Sequence, residues 1–222
     1  MSKKILIIAA HPDDETIGCG GTIKKHIDIN DQVYVLFMTN GISARSVSKK
    51  QITIRKENLK KVAKLLNYRI VDNFNLRDNE MDIYPLLKIV KKIEKIIKKL
   101  QPEIIYTHFE NDLNIDHQIT YKAVLTACRP VPNLSIKEIN CFEVLSNTNW
   151  GFYNLEKFKP NYYVDISNFI NAKKKALSLY QNEIKDDPHT RSLDNIIRNN
   201  KVRGQEVGLN SAEAFFQVRK II

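Results

Sequence analysis

The stretch KKILIIAAHPDDETIGCGG, residues 3–21, decides the fold. Six apolar residues, ILIIAA (5–10), run without polar alternation, so the strand they form is covered on both faces, as in a parallel sheet packed between helices. The run then meets a histidine, a proline and three consecutive carboxylates. In open parallel sheets ligands bind beyond the carboxyl ends of the strands, which puts this charge where chemistry belongs.

The rest of the chain repeats the pattern. Strand-like runs QVYVLFMTN (32–40), YRIVDNF (68–74), PEIIYTHF (102–109), INCFEVL (139–145) and YYVDIS (162–167) alternate with helical patterns at about 16–30, 50–67, 81–100 and 116–128, with further helices after 168. The expected architecture is α/β: a Rossmann-like three-layer sandwich with a mostly parallel central sheet, one domain over 1–222. GCGG (18–21) lacks the G-x-G-x-x-G spacing of a dinucleotide site, so these glycines are read as close helix packing and no NAD is expected.

Composition sets the bounds. The 222 residues are 43% hydrophobic, and a mean hydropathy of −0.35 with no apolar run near the ~20 residues of a membrane helix argues against a transmembrane segment. No cleavable leader pattern precedes His11, so a cytoplasmic location is expected. Cys19, Cys128 and Cys141 are an odd, scattered set that suits reduced thiols. The net charge of +10 comes largely from lysines on helical faces such as KIVKKIEKIIKKL (88–100), a solvated surface. Without aromatic interleaving or a recognised binding motif, no nucleic-acid partner is expected.

A second polar cluster, THFENDLNIDHQ (107–118), follows the strand PEIIY, so two strand ends converge on one crevice. His11 and Asp14, three apart on a turn constrained by Pro12, can face one point, and His117 can arrive from the other loop. Two imidazoles and one carboxylate suit Zn2+, one per chain, with a fourth position left for water. Asp13 is then available as a general base; its alternative is to cap the helix starting near Thr16. Arg55 either pairs with Glu57 or a neighbour, or contacts substrate hydroxyls or phosphate. His108 is either a satisfied structural histidine or a pocket wall, and His26 is read as solvent-exposed. Arg203 and Glu213 are read as a structural ion pair.

AAHPDDETIGCGGTI (9–23) together with NDLNIDH (111–117) resembles the LmbE-like, or PIG-L, family of zinc-dependent N-deacetylases that act on N-acetylglucosaminyl groups. The likeness extends over nearly the whole chain, through TNG (39–41), Arg55 and Glu57, and the tail PHTRSLDNIIRNNKVRGQEVGLNSAEAF (188–215). The resemblance implies a hydrolase releasing acetate from an N-acetyl sugar, with His11, Asp14 and His117 as metal ligands and Asp13 as base. Relatives carry a histidine three residues before the last ligand as acid or electrostatic stabiliser. Here that position is Asn114, which can hold an oxyanion but not give up a proton. His189, from the same subunit or a neighbour in a homo-oligomer, is the first candidate for the acid and Asp13 the second. Asp116 is expected to orient an imidazole or the acid. The loop GISARSVSKK (41–50) is expected to help select the substrate, whose aglycone the sequence does not specify. Two other classes stay open: a catalytically silent sugar-binding scaffold, whose mark would be a broken triad, and a basic nucleic-acid binder.

Overall fold

The apolar run near the N-terminus forms β1 (Lys4–Ala9), with Ile5 and Ile7 in one core and Leu6 and Ile8 in another. Both faces are buried, which is why no polar residue alternates with them. The computed structural model describes residues 2–41, 49–151, 156–180 and 183–222.

Strands β2 (Gln32–Thr39) and β3 (Arg69–Leu76) extend the sheet in parallel on one side of β1. On the other side β4 (Ile104–His108) and β5 (Glu138–Phe142) do the same. Beyond β5 lie β6 (Tyr162–Asp165) and β7 (Ala212–Lys220), with β7 inserted antiparallel between β5 and β6, giving the order β3-β2-β1-β4-β5-β7-β6. Helices α1 (Asp14–Asp28) and α2 (Lys49–Leu66) cover one face, and α3 (Leu86–Leu100) and α4 (Ile115–Ala127) the other. The helices α5 (Ile170–Leu179) and α6 (Leu193–Gln205) join the first layer. The expected three-layer α/β sandwich is therefore the observed one. Since α1 follows β1 onto one face and α4 follows β4 onto the other, the carboxyl ends of these neighbouring strands bound a crevice.

Two expectations about elements are corrected. The helices expected after 168 are α5 and α6, but the tail also holds strand β7 over 212–220, which is not among the expected strand-like runs. The helix expected over 81–100 begins instead as a 3-10 turn (Met81–Ile83), and α3 proper starts at Leu86, after Pro85. Proline disfavours helical backbone in the residue before it, so the two segments cannot merge.

The glycines of α1 do pack closely. A Cβ on Gly18 would overlap the Phe142 ring, and one on Gly21 would come within 2.7 Å of Ile166. Between them Cys19 leaves helical geometry, with φ −140°. The break is filled by two charged side chains: Lys173 Nζ donates to Ile17 O (2.7 Å), while the Glu213 carboxylate accepts from Gly21 N (2.9 Å) and Thr22 N (2.7 Å). Lys173 and Glu213 lie 2.6 Å apart, both buried. This corrects the expected Arg203–Glu213 pair, because Arg203 instead pairs with Glu143 and Glu206. His26 is likewise not solvent-exposed: it is largely buried between Asp31 Oδ2 (2.8 Å) and Tyr106 Oη (3.1 Å).

Candidate active site

The turn after β1 carries His11, Asp13 and Asp14, all buried. Asp13 has φ +132°, a conformation that costs a non-glycine residue about 1–3 kcal/mol. It is held there by Glu15, whose Oε2 accepts the Asp13 N–H (2.9 Å). The other Glu15 oxygen accepts from Thr16 Oγ1 (2.7 Å), Tyr180 Oη (2.9 Å) and Tyr68 Oη (3.0 Å). Asp13 occupies the N-cap position of α1 yet makes no side-chain cap bond. Its carboxylate faces Arg191 Nη1 at 3.2 Å and Arg55 Nη2 at 3.9 Å. Burial, aided by Asp14 and Glu183, pushes its pKa up to about 7 against the lowering pull of the two guanidinium groups.

Around His11 the hydrogen bonding selects a tautomer. Its Nε2 stands 3.0 Å from both Asp78 Oδ1 and Asp116 Oδ2, so the proton belongs there and Nδ1 presents a lone pair. Asp116 is fixed in turn by Asn79 N (2.7 Å) and Met81 N (3.0 Å). His117, at the start of α4, has Nδ1 3.1 Å from Asp112 Oδ1, leaving Nε2 to face the site. His11 Nδ1, His117 Nε2 and Asp14 Oδ2 then form a triangle with edges of 3.1, 3.2 and 3.3 Å. Three lone-pair donors turned on one another this closely repel unless a cation lies among them. The edges match a tetrahedral face about 2 Å from its centre, the zinc-to-ligand range. These three residues could hold a metal ion. A second group, His11 with Asp78 and Asp116, also gathers polar atoms, and there the Nε2 proton lies between the two carboxylates.

The cleft above the triangle has a volume of about 210 Å³. Arg55, Asn114 and His189 are among the residues that line it. Arg55 pairs with Glu183 rather than Glu57 and donates to Pro12 O (3.1 Å). Asn114 caps α4 by accepting from Asp116 N (2.8 Å) and donates to Asn79 Oδ1 (2.9 Å). His189 accepts the Arg191 N–H at Nδ1 (3.0 Å), which places its own proton on Nε2. It belongs to the same chain as the triangle it overlooks. Of the two readings of His108, the structure has the satisfied structural histidine and not the pocket wall. His108 is fully buried beneath the site, its Nε2 accepts the Ala10 N–H (2.8 Å), and its ring stacks on His117 at 3.9 Å. Burial, reinforced by the nearby His117, holds its pKa well below 6.5. Of the loop 41–50, residues 42–48 lie outside the described residues.

Site residues that were not anticipated include Asp78, Asn79, Asp112, Trp150 and Arg191. Asp112 stands in the quoted NDLNIDH motif, and Arg191 two residues after His189. Asp78 and Asn79 come from the connection after β3, which carries no comparable signal.

The chain is similar to known proteins in both sequence and fold. Diacetylchitobiose deacetylase of Thermococcus kodakarensis is 29% identical over 196 residues, covering 83% of this chain and 72% of that protein. The solved N,N'-diacetylchitobiose deacetylase from Pyrococcus horikoshii superposes with TM-score 0.78 at 26% identity, covering 98% of this chain and 84% of that one. The 4-carboxy-2-hydroxymuconate hydratase GalB of Pseudomonas putida superposes equally well, TM-score 0.78 over 99% and 98% of the two chains, but at 17% identity, so only the fold is shared. The PIG-L family pattern, described as GlcNAc-PI de-N-acetylase, matches residues 6–128, from inside β1 past the end of α4 and hence across both loops that form the triangle. With more than half of its length matched, the chain belongs to the PIG-L family.

Proposed function

We propose that the protein is a zinc-dependent N-deacetylase that hydrolyses the acetamide of an N-acetylglucosaminyl compound, releasing acetate and leaving a free amine. The observation that carries the reading is the triangle of His11 Nδ1, Asp14 Oδ2 and His117 Nε2 beside the buried Asp13 carboxylate. The sugar specificity is supported by the family description and by the named substrates of the relatives.

Zinc held by His11, Asp14 and His117 would polarise the acetamide carbonyl and acidify the attacking water. Asp13 accepts the proton of that water as its oxygen adds to the acetyl carbon. Arg191 and Arg55 hold the Asp13 carboxylate in place during this transfer. Asn114 steadies the developing oxyanion through the amide hydrogen not given to Asn79 Oδ1, in the position where many relatives place a histidine. As the C–N bond breaks, Asp13 hands the proton it took from the water to the departing nitrogen, which leaves as a neutral amine, while the His189 Nε2–H hydrogen-bonds the reacting acetamide. Asp116 and Asp78 on His11, and Asp112 on His117, keep both imidazoles turned toward the centre. The three buried free thiols suit work in the reducing cytoplasm.

The test joins metal analysis with acetate release from a panel of N-acetylglucosaminyl compounds. About one zinc per chain and acetate release are expected. Asp13→Asn should keep the zinc and lose about 10²-fold or more in kcat, and His189→Ala should keep zinc while losing most turnover. Zinc-loaded protein that releases no acetate from any member of the panel would overturn the reading.

A further inference from the structure

Among the described residues lining the cleft, Trp150 alone brings an extended apolar surface; apart from Gly41 the others end in charges, amides, a hydroxyl or imidazoles. It is also the only tryptophan in the chain. A half-buried indole in so polar a recess leaves one apolar surface open to a ligand.

Its placement is built rather than incidental. Trp150 ends a 3-10 turn, Thr148–Trp150, and Thr148 anchors that turn by accepting from Val144 N (2.8 Å) and donating to Asp112 Oδ2 (2.6 Å). The other oxygen of Asp112 stands 3.1 Å from His117 Nδ1. One carboxylate thus ties the indole to an imidazole of the metal triangle. The Trp150 ring also meets the His189 ring edge-to-face, with centroids 5.4 Å apart.

We propose that Trp150 is the sugar platform of the cleft, seating the apolar C–H face of a single N-acetylated pyranose and so determining specificity for a ring over an open-chain acetamide. A pyranose presents a flat apolar face with a rim of hydroxyls, and the cleft offers the complement: one indole, with Asn79, Asn114, Asn147 and Ser146 as neutral hydrogen-bonding groups. The volume of about 210 Å³ is below the roughly 300–1,000 Å³ of drug-sized sites, which favours one ring inside the cleft and any aglycone outside it. The proposal rests on the deacetylase reading of the same site.

Because there is one tryptophan, intrinsic emission reads this residue alone. Zinc-loaded Asp13→Asn protein, which turns over slowly, is titrated with N-acetylglucosamine and with the open-chain N-acetylethanolamine. A saturable change with the sugar and none with the open-chain amide is expected. In steady-state kinetics of acetate release, Trp150→Ala should raise KM about tenfold, the scale of a lost ring contact, with kcat within about threefold and Trp150→Phe restoring most of the loss. Emission indifferent to the sugar, or Trp150→Ala with wild-type KM, would overturn the proposal. Should the wild type release no acetate, the deacetylase reading falls by itself, while the emission titration still decides whether a pyranose sits on Trp150 and needs no variant at that position.

Discussion

Arg191 Nη1 lies 3.2 Å from Asp13 Oδ2, joining two residues 178 positions apart in sequence. The proposed base is thus set by a guanidinium delivered from the loop before α6, which is anchored in turn through Arg191 Nε to Leu145 O (3.4 Å). Replacing Arg191 by Gln should leave metal content unchanged and lower kcat about 10- to 100-fold, the equivalent of a lost charged hydrogen bond of about 1.5–3 kcal/mol. Arg191→Lys should recover only part of it, since the fork is lost. Wild-type kcat in Arg191→Gln would detach this residue from the chemistry.

Asp112 faces the outer nitrogen of His117, and Asp116 that of His11. Asp112→Asn and Asp116→Asn should each weaken zinc affinity by about 10- to 100-fold, as measured by competition with a chelating dye. His117→Ala should bring bound metal close to zero. Unchanged affinity in both Asn variants would mean that the imidazoles need no outer support.

Lys173 and Glu213 fill the break in α1 with both side chains buried. Lys173→Met leaves an uncompensated carboxylate in the core and should cost about 3–5 kcal/mol in urea denaturation. The double variant Lys173→Met with Glu213→Gln should be less destabilised than the single one, because no lone charge remains. A single-variant loss below about 1 kcal/mol would show the break to be tolerant.

His26 supplies a pH test remote from the metal triangle. Burial lowers its pKa from 6.5 despite the neighbouring Asp31. Between that lowered value and 6.5 the unfolded chain binds the proton and the folded chain does not, so stability rises with pH across this window. The contribution is complete above pH 6.5 and is lost as pH falls through the folded-state value. His26→Gln should therefore show a shallower loss of urea midpoint than the wild type below pH 6.5, and parallel curves would refute the linkage.

The parts of the site that could be read in the sequence sit directly after strands. His11, Asp13 and Asp14 follow β1 without a gap, and His117 opens the helix after β4, so strand-end logic and motif spacing both find them. Asp78 and Asn79 also lie just past a strand, β3, but no recognised motif marks that strand end, and Arg191 comes from the loop before α6, whose approach depends on how the sheet is ordered. Strand β7 was hidden for a related reason. Glu213, Gln217 and Arg219 interrupt its apolar residues, and its partners β5 and β6 are distant in sequence, so no local pattern marks it as a sheet strand. His108 stays open in the sequence because a strand-end histidine beside two candidate ligands fits a structural role and a pocket wall alike; its Nε2 is occupied by the Ala10 N–H, which only the folded chain reveals.

Glu213 lies on β7, the last strand in the sequence, yet its partners Gly21 and Thr22 belong to the first helix. A ribosome-bound chain that has exposed everything through α6 still lacks the carboxylate for the break at Cys19, and β6 still waits for the strand that joins it to the sheet. Vectorial synthesis therefore cannot complete α1 from its own end of the chain onward: the helix is translated early, and the carboxylate that fills its break arrives only with β7.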